Sequence, residues 1–150
     1  MVNRRILFIL FFALTFFSGC ASTGTTRVEA ISDLGDGTIL NNLTKQMWTK
    51  KKTVRFHSSA EAQAYAEKAV VAGYDDWRLP TLDEFHTLYY AIDFGQGSVK
   101  KTGISSEGDI WVVRGKDGQT IAGAWEKEDT CCISRSFMES KSGRLWLVRP

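Results

Sequence analysis

The chain has 150 residues, enough for one domain of ordinary size and too few for two. With 43% hydrophobic and 24% charged residues it has a globular balance, which excludes an acidic disordered tail, a collagen-like array and a polytopic membrane protein. The formal charge of +2 comes from Arg4 and Arg5; without them 17 basic side chains meet 17 acidic ones, and a balanced surface has little long-range field with which to bind nucleic acid.

Those two arginines precede Ile6 to Phe17 (ILFILFFALTFF), an uncharged run laid out like a secretory signal peptide. It is shorter than the roughly 20 residues that a membrane-crossing helix needs, so removal is expected rather than a permanent span. Phe17-Ser18-Gly19-Cys20 follows and resembles the bacterial lipobox, in which small residues before a cysteine admit a peptidase and the thiol receives a diacylglyceryl group. Residues 1–19 are then the signal, and Cys20 is the lipidation site and first mature residue. Phe17 stands where that motif usually has Leu, and ordinary cleavage near Ala21 is the alternative. Asn3-Arg4-Arg5-Ile6-Leu7-Phe8 also resembles a twin-arginine signal, although the short head and apolar core favour the general secretory route. Two or three acyl chains make a stable membrane anchor. Ala21 occupies the place where an Asp would hold a lipoprotein in the inner membrane, so the expected address is the outer membrane of a bacterial envelope. Residues 20–32 are the lipidated cysteine and its tether, because Ala21 to Ala30 is small, hydroxylated and without hydrophobic period.

The domain is expected over residues 33–150. Asp33 to Gly37 is a turn cluster, Thr38-Ile39-Leu40 a short strand, Asn41 to Thr44 a connection and Met47-Trp48-Thr49 the returning strand of a hairpin, with Val54-Arg55-Phe56 extending or following it. Ser58 and Glu61 have the spacing of a capping box before an alanine-rich first helix that runs toward Ala72 and stops at Gly73. Pro80, Thr81 and Glu84 mark a second helix with an apolar face of Leu82, Phe85, Leu88, Tyr89 and Ile92. Strands are expected at Ile110 to Val113, Thr120 to Ala122 and Leu145 to Val148, which makes the fold α+β.

Two of these stretches resemble one known family. Asp33-Leu34-Gly35-Asp36-Gly37-Thr38-Ile39 with Thr44 and Met47-Trp48, and then Ala72-Gly73-Tyr74-Asp75-Asp76-Trp77-Arg78-Leu79-Pro80-Thr81 with Glu84, are similar to the Lcl C-terminal domain family, across about residues 33 to 149. The resemblance implies a compact C-type-lectin-like domain on an exported bacterial protein, of which one branch is the sugar-binding head of a collagen-like adhesin. This chain has no Gly-X-Y repeat, so that adhesin architecture does not transfer. It also implies a cysteine pair at positions that here read Ala66 and Leu147, both lost together, as expected if the pair is a disulfide.

Asp76 and Arg78 alternate with Trp77 and Leu79, which sends the polar pair to one face and reads as structural rather than as a binding site. Asp33 and Asp36 read as turn caps, since glycines occupy the alternating positions where a calcium loop needs oxygen ligands. Two histidines and no paired Cys motif argue against zinc, and no metal or cofactor is expected. Cys131 and Cys132 are adjacent and fit a vicinal disulfide, an intermolecular link or two buried thiols. They are not tied by spacing to His57 or His86 as a catalytic set, and His86 reads as a helix-surface or hydrogen-bonded residue. Of the five tryptophans only Trp125, beside an acidic run, reads as exposed. The densest charge run is Lys50-Lys51-Lys52 with Arg55, either protection of an edge strand or a patch for sulfated or phosphorylated polymers.

The expected function is that of a non-enzymatic envelope lipoprotein. Its domain is a ligand-binding or interaction module, for a glycan or polyanionic polymer or for another envelope protein. The alternatives are a purely structural lipoprotein and an enzyme related to formylglycine-generating proteins that uses a cysteine.

Overall fold

The turn cluster at Asp33 closes a hairpin in the computed structural model, which describes residues 29–94, 103–115, 117–127 and 135–150. Cys20, Cys131 and Cys132 lie outside the described residues. In chain order the elements are β1 (Ile31–Asp33), β2 (Thr38–Asn41), β3 (Met47–Thr49), β4 (Arg55–Phe56), α1 (Ser59–Ala66), α2 (Leu82–Phe94), β5 (Ile110–Arg114), β6 (Gln119–Lys127), β7 (Arg135–Ser140), β8 (Gly143–Arg144) and β9 (Val148–Arg149). The fold is α+β, with one sheet ordered β1-β2-β3-β9 and a second ordered β4-β8-β5-β6-β7. Among the described strands the pairings are antiparallel except the parallel bridge of β5 with β8. No described helix is long and apolar enough to cross a membrane.

The hairpin forms because both aspartates cap it. Asp33 Oδ1 accepts the Gly35 N–H at 3.1 Å, and Asp36 Oδ1 accepts the Thr38 N–H at 2.9 Å. β1 starts ahead of Asp33, and Ile31 is fully buried, so the packed region reaches further toward the tether than the turn signal suggests. β9 covers the far side of β3, which makes β3 an interior strand. Lys50 to Lys52 therefore do not protect a strand edge, and that reading of the lysine run falls.

The first helix is shorter than its alanine content suggests. Ser58 caps it as expected, with its Oγ accepting the Glu61 N–H at 3.2 Å, but it ends at Ala66. Val71 and Tyr74 exchange both backbone hydrogen bonds across Ala72 and Gly73, whose φ angles are 54° and 82°. Gly73 thus serves this tight turn and not the helix end, and β-branched Val70 and Val71 favour leaving the helix before it. The second helix matches its signals fully. Thr81 Oγ1 accepts the Glu84 N–H at 3.2 Å while Glu84 Oε2 accepts the Thr81 N–H at 2.8 Å, the reciprocal capping box.

Leu145 to Val148 is only partly strand. β8 belongs to the second sheet and β9 to the first, so Leu145, Trp146 and Leu147 cross between the sheets, all buried. Residues 50–54 make the reverse crossing alongside them. The Thr49 and Thr53 N–H groups donate to the carbonyls of Leu147 and Leu145, both at 3.0 Å. In return the two threonine hydroxyls accept the N–H groups of Leu147 at 3.2 Å and Leu145 at 2.9 Å. These paired crossings form a seam that locks the sheets together.

The middle of the second sheet, where β5 pairs with β6, is buried on both faces. Ile110, Val112 and Ile121 pack with α2 and the first sheet, around Phe85, Leu88, Trp48 and Trp146. Trp111 and Ala122 point the other way, into a cluster with Ala62 and Ala66 of α1, Trp77, Leu79, Leu145 and Leu147. Ala66 and Leu147, where the family resemblance implies a cysteine pair, thus share one buried cluster. β7 has no counterpart in the sequence reading. It lies against β6 through Gly123, where a Cβ would come within 2.3 Å of the Met138 carbonyl and 2.6 Å of the Phe137 ring, so only glycine admits the approach.

Candidate functional site

Two groups of cations flank the C-terminal run. The first is a clamp built from Asp76-Trp77-Arg78-Leu79. Trp77 and Leu79 are buried, and the Arg78 backbone exchanges two hydrogen bonds of 3.0 Å with Val148. The Arg78 guanidinium grips Glu84 with two bonds of 2.8 and 2.7 Å, and Gln46 Nε2 donates to the same carboxylate at 2.6 Å. Burial alone raises the Glu84 pKa, but Arg78, the Thr81 N–H and Gln46 outweigh it and hold the carboxyl down to about 2. Asp76 accepts from Arg149 at 2.6 and 3.0 Å, which lowers its pKa, and the Arg149 guanidinium lies 3.9 Å from the Tyr74 ring centroid. Every cation here has its own carboxylate. The alternating polar pair does what the sequence reading assigned to it and ties the chain end to the start of α2.

The second group lies on the seam and is assembled from different strands. Lys50 pairs with Asp33. Arg55 Nη1 donates to Asp109 Oδ2 at 3.0 Å and to the Ser142 hydroxyl at 2.9 Å. These two members of the expected patch are therefore matched. Lys51 is exposed and has no acidic partner among the described residues. Lys52 is half-buried, with Nζ 4.6 Å from the Trp146 ring centroid and donating to the Glu107 carbonyl. Burial and nearby Arg144 push its pKa down to about 8, against the opposing pull of the Glu107 carboxylate.

Arg144 is the member that sequence reading missed. It lies directly opposite Arg55 in the β4–β8 pair, and it too has no acidic partner among the described residues. Like charges facing each other across strands destabilise a sheet. Lys50, Lys51, Lys52, Arg144 and Trp146 line one hollow of about 450 Å³ together with Ser105 and Glu107. Lys50 is neutralised by Asp33, so the lining cations without a carboxylate partner among the described residues are Lys51, Lys52 and Arg144, with Glu107 supplying opposing charge, a lining whose chemistry suits an anion.

The remaining candidates are placed elsewhere. His86 packs between Tyr90 and Trp125, each with ring centroids 4.6 Å away, so it is an aromatic-packing residue. Trp125 is half-buried and also meets Phe137 edge-on at 5.4 Å, while the other four tryptophans are buried in the core. His57 is exposed. No group of three His, Cys, Asp or Glu side chains that would hold a metal is present among the described residues.

No curated protein and no solved structure matches the chain. The family model of the Lcl C-terminal domain matches residues 37–149, a span that includes the β2–β3 pair, the clamp and both crossings of the seam, and the chain therefore belongs to the Lcl C-terminal domain family.

Proposed function

We propose that the protein is a non-enzymatic lipoprotein of the bacterial envelope, anchored through Cys20, whose domain binds a polyanionic glycan or envelope polymer at the seam. The observation behind this reading is the set of cations without a carboxylate partner among the described residues, Lys51, Lys52 and Arg144, lining one hollow in a protein whose clamp arginines, Arg78 and Arg149, are each paired. A fold keeps like charges together at a cost unless something else stabilises them, and sulfate or phosphate groups spaced along a polymer do so. Each cation contributes modestly, the contact is screened over about 8 to 10 Å at ordinary salt, and affinity is built by repetition along the polymer. The Lys52 ammonium lies 4.6 Å from the Trp146 ring centroid and donates to the Glu107 carbonyl, which holds its charge at the wall of the hollow.

The test is retention of the full Cys20→Ser chain on heparin at low ionic strength, with elution by added salt. Replacing Lys51, Lys52 and Arg144 together by Gln is expected to abolish retention and leave the melting temperature nearly unchanged. Replacing Lys50, which Asp33 already neutralises, is expected to have little effect. Retention that survives the triple substitution sinks the assignment of the site. The anchor is tested by fractionation: wild type stays with membranes and Cys20→Ser is released.

A further inference from the structure

The lysine run separates two hollows, and the second has a different character. It measures about 410 Å³ and is lined by Thr49, Lys51, Thr53, Tyr65, Val71 and Leu147, with the neighbouring lysines and Gly37 completing the rim. Leu147 is the floor and is almost wholly buried, while Tyr65 is 45% exposed and braced by Phe56 at a ring-centroid distance of 5.2 Å. Val54 and Val70, each next in sequence to a lining residue, are 73% and 68% exposed. The wall on this side is thus apolar while the rim is cationic. Such a volume lies within the roughly 300 to 1,000 Å³ range of small-molecule sites, which are mostly apolar with a few placed polar groups.

We propose that this hollow takes one amphiphilic anion at a time: a single alkyl or acyl chain on Leu147, Val71 and Tyr65, with its phosphate or carboxylate head against Lys51. Charge complementarity fixes the orientation, since Lys51 is the exposed rim cation without an acidic partner among the described residues, whereas Lys50 pairs with Asp33 and the Lys52 ammonium is held at the Glu107 carbonyl and the Trp146 ring; the apolar floor takes the chain. The inference goes beyond polyanion binding, because a sulfated polymer has no use for a Leu, Val and Tyr floor. The two hollows share the lysine run, Lys50 to Lys52, and differ in the rest: Arg144 and Trp146 belong only to the first, Tyr65 and Val71 only to the second.

Calorimetric titration of the detergent-free Cys20→Ser chain with alkyl phosphates below their aggregation threshold tests this. Binding is expected to be saturable at one per chain, absent for inorganic phosphate, and tighter by about fourfold for each methylene added between hexyl and decyl phosphate while the chain still fits. Decanol should bind at least tenfold more weakly than decyl phosphate, and so should decyl phosphate to Lys51→Gln. Tyr65→Ser is expected to weaken decyl phosphate at least tenfold and to leave heparin retention intact, with Val71→Ala as the second variant if the first fails to melt cooperatively. Affinity independent of chain length overturns the proposal. So does insensitivity to both floor substitutions, or uptake by anionic phosphatidylglycerol vesicles with no binding of the monomeric phosphate. Failure of the wild type to be retained on heparin, with decyl phosphate binding intact, would count against the polyanion reading and not against this one.

Discussion

At the clamp, Arg78 and Arg149 each meet a carboxylate through two hydrogen bonds, whereas at the seam Lys51, Lys52 and Arg144 have no carboxylate bound to them among the described residues. Both regions flank the same C-terminal run, and both use residues far apart in sequence. The difference is what each cation stabilises. A guanidinium held by two parallel bonds fixes geometry, here the chain end against the N-terminus of α2. Lys51 and Arg144 are exposed and Lys52 is half-buried against Trp146, and without a carboxylate their charge is available to an anion from outside. Charge matching therefore separates the basic residues that hold the fold from those that the proposed ligand would meet, and the separation yields opposite expectations for stability and for binding.

The largest stability effect is expected at the clamp. Glu84→Gln keeps the acceptor for the Thr81 N–H but removes the charge that Arg78 grips, and should cost about 1 to 2 kcal/mol, a charge-assisted bond discounted for the partial exposure of Arg78. Its pH dependence has a definite sign. The folded carboxyl titrates at about 2 against an ordinary 4.5, so its contribution is fully present above 4.5 and is lost as pH falls from there toward 2. Thermal melts of wild type should fall through that window, and Glu84→Gln should flatten the fall. Asp33, Asp36 and Asp76, also lowered by their hydrogen bonds, leave a residual slope. Heparin retention at neutral pH should not change. An equal fall in the variant would mean that the clamp is not where the acid sensitivity resides.

The seam should show the reverse. Arg144→Gln removes one of two like charges facing across β4 and β8, so the melting temperature is expected to stay level or rise by the equivalent of about 0.5 kcal/mol or less. Retention on heparin should drop markedly. A loss of stability here comparable with that of Glu84→Gln would erase the distinction between the two regions, because Arg144 would then be a structural residue.

Much of the clamp was legible from spacing. Thr81 and Glu84 announced the capping box, and the alternation of Asp76, Trp77, Arg78 and Leu79 announced which residues face inward, because local geometry fixes both. The seam was legible only by half. Lys50, Lys51 and Lys52 are contiguous and visible, but Arg144 joins them through a two-stranded contact more than 90 residues away, and no local pattern records that pairing. The same blindness to partners made Lys50 and Arg55 look free, when Asp33 and Asp109 already neutralise them. Leu145 to Leu147 read as a strand because an apolar run buried on every side lacks a polar phase. In the fold it is the crossing between two sheets, whose partner is the stretch after β3. β7 escaped because its apolar residues, Phe137 and Met138, are adjacent and one of them is exposed, which breaks the alternation that marks a half-buried strand.

The smallest and sharpest difference lies in the pH response of Lys52. Its ammonium is disfavoured by burial and by Arg144, so in the free protein it loses its proton near pH 8 instead of 10.5. An unfolded chain keeps that proton up to the higher value, and between the two the unfolded state binds more protons, so this group adds to stability as pH rises from 8 toward 10.5. Anion binding has the opposite sign, because the neutral amine offers no charge. Retention on heparin should therefore weaken as pH climbs past 8, with a midpoint somewhat above the free value since a bound anion favours the charged form. Lys52→Arg separates the two trends: a guanidinium keeps its charge across this range and stacks on an aromatic face. The variant is expected to hold its retention flat to pH 10 and to lack the alkaline gain in melting temperature. A wild type whose retention is flat over the same range would mean that Lys51 and Arg144 hold the polymer without Lys52, and the cleft would then be one cation smaller.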